Sequence, residues 1–363
     1  MDLITLNNGV TIPQVGLGTY LLEPDDAQSA VTYALDNGYT LIDTANVYVN
    51  ERAVGRGMRA SSKAREEIVL ETKLWPSFFE RPTAVDETLE RLGTDYIDLM
   101  ILHQPAGDTV AGYRILEKAH EEGTIRAIGL SNFNVTQTQR ILDECEVVPA
   151  INQVECHPYF PQTELKELLA QHNIALQAWF PLGGRGNDSI MTEPLIQALA
   201  EKHGKSPAQV LLRWHVQQGH VVIPGSKTPS HIADNIDLFD FALTDEDMAQ
   251  IDSLDKGKPF FEHNDEVLAG FLAYVPDVEG QKKSCCSMRE RGVVPVIRTH
   301  GAGFHRHNVA SLIPSTRQAW AVLMPSPRSA SAFSSLTTIC SGACFENFLM
   351  AIHSARPQAA RTT

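Results

Sequence analysis

Residues 96–132 read YIDLMILHQPAGDTVAGYRILEKAHEEGTIRAIGLSN and contain one complete structural unit. The unit opens on a nearly unbroken apolar run, YIDLMILH (96–103), and closes on a second, IRAIGLSN (125–132). Runs of this kind, without polar alternation, mark strands buried on both faces, as in parallel sheets. Between them Asp108 and Thr109 open a helical stretch, VAGYRILEKAHEEG, that ends at Gly123, a C-cap residue. Strand, crossover helix and parallel strand are thereby expected in 37 residues.

The same unit recurs outward in both directions. Upstream lie QVGLGTY (14–20), TLIDTA (40–45) and IVLETK (68–73); downstream lie AINQVE (150–155), ALQAWF (175–180) and VVIPGS (221–226). Most starts are about 25 to 29 residues apart, and the last gap of about 46 leaves room for an extra helix around EPLIQALAEKHG. Pro24-Asp25-Asp26 opens a helix that closes on Gly38, and Ser206-Pro207 opens another with proline at its first position. Eight such strands are the closure number of an α/β (β/α)8 TIM barrel. The opening segment ITLNNGVTI carries Asn8-Gly9 between two apolar stretches and predicts a hairpin plugging the barrel bottom. The alternative, an open doubly wound sheet, calls for a glycine-rich dinucleotide turn, and Gly16-Leu17-Gly18-Thr19 lacks the third glycine.

The 363 residues are 43% hydrophobic and 20% charged, with a net charge of −14. That balance disfavours nucleic-acid binding across a broad face. Apolar runs fall short of the roughly 18 residues of a membrane span, and the start lacks a secretory pattern. A cytoplasmic protein, monomeric and without membrane or nucleic-acid partners, is expected. The charge divides near residue 276. Residues 277–363 hold ten basic and four acidic residues, a balance of +6, whereas residues 1–276 carry 20 basic and 40 acidic ones, −20. The tail has no helical or strand period, so 1–276 is read as the barrel and 277–363 as an irregular, disordered or non-native extension. A scattered basic interaction tail and a metal site at Cys340 and Cys344 are the other readings of it.

Function in a barrel gathers at the C-terminal strand ends. Those ends carry Thr19 and Tyr20, Asp43 and Tyr48, Lys73, His103, Ser131 and Asn132, Gln153, Trp179, and Ser226 with Lys227. Each has a structural explanation: Lys73 as a solvated cap, His103 as a satisfied buried ring, the glycines as tight turns. Their convergence points instead to carbonyl chemistry. A phenol with an ordinary pKa near 10 is a sluggish acid at pH 7, and a nearby ammonium lowers that value. Lys73 supplies the ammonium, Asp43 holds it, and His103 hydrogen-bonds a carbonyl oxygen. The set suits proton delivery to a developing alkoxide, and the hydride must come from a nicotinamide cofactor. Ser131, Asn132 and Gln153 can fix a carboxamide, and Trp179 offers a stacking face.

With these residues assembled, residues 1–276 resemble the aldo-keto reductase superfamily. The carrying motifs, in family order, are VGLGTY, LIDTANVY with NERAVG, VLETKLW, DLMILHQP, IGLSNFN, INQVECHP, AWFPLG and IPGSKTPSHIADN. The short loop after His103 is closer to bacterial members, including those acting on diketo-sugar acids. The resemblance implies Asp43, Tyr48, Lys73 and His103 as the catalytic four, with Tyr48 as general acid. It implies Ser131, Asn132 and Gln153 at the carboxamide, Trp179 where tyrosine is usual, and Gly16, Gly18 and Thr19 near the cofactor. It also implies Asn235 at the adenine. Gly225 stands where the family commonly has lysine, and His231 where it has arginine. NADPH is thus expected as cofactor, with weakened discrimination against NADH. Lys227, shifted by one position, is either a phosphate contact or a solvated cation.

Tyr20, Val47, Trp75 and His103, together with Phe78 and Trp179, are expected to wall the substrate pocket, for small aldehydes, α-dicarbonyls or keto-sugars. Two rival functions remain. One is a silent cofactor-binding barrel, which the intact four argue against. The other is a metal-dependent hydrolase barrel, which needs a dense His and carboxylate cluster that the strand ends lack, so no metal is expected.

Overall fold

The structure, a computed structural model, describes residues 2–183 and 190–282. The chain opens with the expected hairpin, β1 (Leu3–Thr5) paired antiparallel to β2 (Thr11–Pro13). Gly9 turns it at φ +85°, and Leu6 N–H donates to Val10 O at 2.8 Å. The side chains of Leu6 and Ile12 join Leu41, Leu99, Ala127, Ile151 and Val221 in one apolar cluster. Asn7 and Asn8 donate to the carbonyls of Pro149 and Arg126, which precede or begin strands. The hairpin therefore covers the N-terminal end of the sheet.

Eight parallel strands follow: β3 (Leu17–Gly18), β4 (Leu41–Asp43), β5 (Val69–Leu74), β6 (Ile97–Leu102), β7 (Ile125–Ser131), β8 (Ile151–Glu155), β9 (Ala175–Trp179) and β10 (Val221–Val222). Each pairs with its sequence neighbour. First and last then meet: Gly16 N–H donates to Val222 O and Val222 N–H to Gln14 O, both at 2.8 Å. The sheet is a closed (β/α)8 barrel. At this seam Gly18 is required by packing, because a Cβ there would stand 2.6 Å from the carbonyl oxygen of Ile223.

Helices α1 (Pro24–Asp36), α2 (Glu51–Ala60), α3 (Ala84–Leu92), α4 (Thr109–Glu121), α5 (Val135–Glu144) and α6 (Thr163–Gln171) alternate with the strands. After β9 come α7 (Pro194–His203), the expected extra helix, and α8 (Pro207–Gln217); α9 (Pro229–Ile236), α10 (Asp245–Asp252) and α11 (Asp265–Ala273) end the fold. The caps read from sequence form. Asp108 accepts from Ala111 N–H at 3.0 Å, and Ser206 accepts from Gln209 N–H at 3.2 Å ahead of Pro207. Gly38 and Gly123 follow their helices at φ +100° and +79°. Among the described residues no helix is long and apolar enough to cross a membrane. A short turn at Val278–Lys282 follows α11, with Val278 buried. Residues 283–363, including Cys340 and Cys344 and most of the expected tail, lie outside the described residues.

Candidate active site

Three strand ends bring the four expected side chains together. Asp43 closes β4, Lys73 is the fifth residue of β5, His103 directly follows β6, and Tyr48 ends a single turn, Asn46–Tyr48, just past β4. The Lys73 ammonium is paired with the Asp43 carboxylate and donates to the Thr44 carbonyl at 2.9 Å. Both members of the pair are buried, with side-chain exposures of 0% and 2%. A charge pair so enclosed is rigid, because moving either partner leaves an uncompensated charge in a low dielectric. The ammonium nitrogen stands 5.0 Å from the centroid of the Tyr48 ring, and the His103 ring meets that ring edge-on at 5.6 Å.

Burial and, next, the Lys73 charge hold the His103 pKa well below its ordinary value, so its imidazole is neutral at pH 7. Its Nδ1 is buried without a hydrogen-bond partner among the described residues. For Tyr48 the structure corrects the sequence reading, which had Lys73 lowering the phenol pKa. Burial, then Asp43, Tyr20 and Glu71, hold it well above 10. Burial is the largest cause, and the Asp43 charge offsets part of the ammonium's, so the resting phenol stays protonated.

Beneath this group the barrel interior is polar. Glu71 is in register with Asp43, and Gln153 with Gln177. Gln153 Nε2 faces Glu71 Oε1 at 2.9 Å, Gln177 Oε1 at 2.8 Å and Asp43 Oδ1 at 3.2 Å, while Gln177 donates to Glu71 Oε2 at 2.7 Å. Burial, reinforced by the Asp43 charge, pushes Glu71 up to about 8. Neither Glu71 nor Gln177 was singled out from the sequence. The available signal was alternation: Glu71 precedes Lys73 by two residues and so shares its face of the strand.

The expected carboxamide-binding residues are adjacent. Asn132, at φ +67°, donates to His103 O at 3.0 Å and accepts from Trp179 Nε1 at 2.8 Å. That bond fixes the half-buried indole of Trp179. Ser131 is buried and lies within 3.1 Å of the Asn132 amide. The Gln153 side-chain bonds run through Nε2, which leaves Oε1 as an acceptor for a carboxamide N–H, so this end fits a nicotinamide. Thr19 is fully buried, and its hydroxyl donates to Asp43 O at 2.9 Å. At the other end of the expected cofactor path Ser226 Oγ caps Thr228 N–H, Asn235 is buried and His231 is exposed. Lys227 pairs with Asp26 of α1 at 3.0 Å. A cation already facing a carboxylate is a poor match for a phosphate.

Of the expected pocket wall, Tyr20 is 46% exposed with its ring 5.0 Å from that of Tyr48, and Val47 and Phe78 are buried. Trp75 is only 1% exposed. Its ring stands edge-on to His103 at 5.2 Å and to Phe271 at 5.3 Å, and its Nε1 donates to Tyr274 O at 2.9 Å. It backs the imidazole and anchors the segment after α11. Phe271 and Tyr274 were not foreseen, since they reach Trp75 across about 200 residues of chain.

A separate buried group, Cys156, His215 and His220, has its potential ligand atoms within 4.8 Å of one another. Burial pushes the Cys156 thiol up to about 12 and His220 down to about 3. The Nδ1 atoms of the two histidines are 3.1 Å apart and His215 Nε2 lies 3.3 Å from Pro181 O, a chain of neutral hydrogen bonds.

The chain matches the model of the Aldo/keto reductase family over residues 14–256. It is 46% identical over 274 residues to morphine 6-dehydrogenase from Pseudomonas putida, covering 70% of this chain and 92% of that one. With methylglyoxal reductase DkgA from Salmonella typhimurium it shares 40% identity over 260 residues, 70% of this chain and 94% of the relative. Among solved structures it is similar to an aldo/keto reductase from Brucella melitensis, at 43% identity and a TM-score of 0.67, covering 70% of this chain and 99% of that one. The chain belongs to the aldo/keto reductase family of oxidoreductases.

Proposed function

We propose that the protein reduces aldehydes or ketones to alcohols with NADPH, accepting NADH as well, and that Tyr48 is the general acid. The observation that carries this reading is the buried Lys73–Asp43 pair directly under the Tyr48 ring, with a neutral His103 at its edge. Bound nicotinamide supplies the hydride that reaches the carbonyl carbon. The protein's own groups handle the proton and the position. The neutral imidazole donates an N–H to the carbonyl oxygen and orients it without giving up that proton. Tyr48 stays a protonated phenol at neutral pH, releases its proton to the oxygen as negative charge develops there, and becomes a phenolate. The Lys73 ammonium, held in place by Asp43 and Thr44 O, stabilises that phenolate.

Gln153 Oε1, Ser131, Asn132 and the anchored Trp179 support nicotinamide binding, with Gly18 and Thr19 beneath. Ser226, Lys227, His231 and Asn235 form the proposed adenosine end. The Lys227–Asp26 pair and an exposed His231 in place of arginine support weak discrimination between NADPH and NADH. The substrate would be a small carbonyl, such as an α-dicarbonyl or keto-sugar, meeting Tyr20, Val47, Trp75 and His103. We take the protein to act in the cytoplasm and as a monomer. The deciding experiment is consumption of NADPH and of NADH across a carbonyl panel that includes methylglyoxal. Turnover with both cofactors supports the reading. Cofactor binding without turnover on any carbonyl would instead make the chain a silent binding barrel. A chain ending at Lys282 is expected to keep full turnover, which a side-by-side assay with the 363-residue chain checks.

A further inference from the structure

Barrel interiors are ordinarily filled by layers of branched apolar side chains. Here the layer under the reaction site holds two carboxyl groups and two amides. Asp43 and Glu71 are register partners on β4 and β5, and one amide nitrogen, Gln153 Nε2, lies 3.2 Å from Asp43 Oδ1 and 2.9 Å from Glu71 Oε1. Two carboxylates gathered on one buried amide repel, and a single proton held between them removes that repulsion. Burial raises the Asp43 pKa, but Asp43 faces the Lys73 ammonium, which opposes that push and makes it the member that keeps its charge. Glu71 has no cation within bonding distance among the described residues; its oxygens face the amides of Gln153 and Gln177.

We propose that Glu71 is a positioning residue of the reaction site. As a carboxylic acid it donates to Asp43, which keeps Asp43 the anion that holds Lys73. Together with Gln177 it also fixes the Gln153 amide so that Oε1 faces the carboxamide position. The inference rests on the reading of Asp43, Lys73 and Gln153 given above. The charged and titratable groups facing Glu71 are Asp43 from β4, Lys73 from β5 and Tyr48 beyond β4, while β8 and β9 present neutral amides. Ionising Glu71 places a second negative charge under the site. That charge opposes formation of the Tyr48 phenolate, so carbonyl reduction slows as pH rises through about 8.

The test uses the full-length chain, Glu71→Gln and Glu71→Ala. Glu71→Gln keeps the shape and cannot ionise, so the rate loss near pH 8 present in the parent is absent from its profile of kcat against pH. Glu71→Ala leaves the Gln153 amide and Asp43 without their partner. It lowers kcat by about tenfold or more, and the Gln variant restores part of that loss. Infrared difference spectra, parent minus Glu71→Gln, read the proton without any turnover. A carboxylic-acid carbonyl band is expected at about pH 6.5 and is lost at about pH 9.5. A missing band overturns the proposal, as do coincident pH profiles for parent and Gln variant. If the band is present but no carbonyl is reduced, the shared proton stands and the reductase reading fails.

Discussion

Replacing Glu71 by glutamine makes the protein more stable at neutral pH, although it removes a group bonded on every side. The folded carboxyl titrates at about 8, against an ordinary 4.5. Between those values the folded chain binds a proton that the unfolded chain does not, so stability falls as pH rises through the window and levels off above it. The slope is about 1.4 kcal/mol per pH unit, which makes the cost at pH 7 about 3 kcal/mol. Glutamine is neutral throughout and avoids that cost. It sacrifices one of the acid's hydrogen bonds, about 1 kcal/mol, because an amide cannot both accept from two glutamines and donate to Asp43 along the same directions. The variant should therefore gain about 2 kcal/mol at pH 7 and more at pH 8, and break even near pH 5. Urea unfolding of both proteins at pH 5, 6, 7 and 8 measures the difference directly. A difference that does not change with pH, or a variant less stable than the parent at pH 8, refutes the assignment of the proton to Glu71.

Tyr48→Phe keeps the ring and removes the proton, so turnover should fall at least about 100-fold while cofactor binding by fluorescence titration is unchanged. Lys73→Met strands the Asp43 carboxylate in the interior; a loss of about 3–5 kcal/mol in unfolding free energy is expected alongside the loss of turnover. Asp26→Asn frees Lys227 for a phosphate and should raise the NADPH-to-NADH ratio of kcat/KM several-fold. In the parent that ratio should stay below about 1000, roughly 4 kcal/mol.

The eight strands were legible because a strand buried on both faces needs an apolar run, and such runs survive in a linear reading at TLIDTA, YIDLMILH and IRAIGLSN. Asp43, Lys73 and His103 were legible because strand ends are where the polar residues interrupt those runs. Glu71 was not, because it sits inside IVLETK, where it read as part of an apolar β segment. Its meaning depends on which residue of β4 lies beside it, and that register is set by the stagger of the closed barrel. Gln177, embedded in ALQAWF, was hidden in the same way. The direction of the Tyr48 shift was misread because burial dominates it, with Asp43 next, and a sequence shows neither how deeply the ring is enclosed nor how much of the ammonium's charge is offset. The packing of Trp75 on Tyr274 needs a contact between distant parts of the chain, which periodicity does not encode.

Gly18 joins the barrel's mechanics to its chemistry. The residue lies against Ile223 across the seam and is the register partner of Asp43 on the other side, and the next residue, Thr19, grips the Asp43 carbonyl with both its N–H and its hydroxyl. A methyl group at position 18 would act as a wedge between the first and last staves of the barrel. The displacement would pass through two hydrogen bonds to the carboxylate that seats the ammonium. The tolerance of the proposed catalytic group is thus set partly by a position that carries no side chain at all.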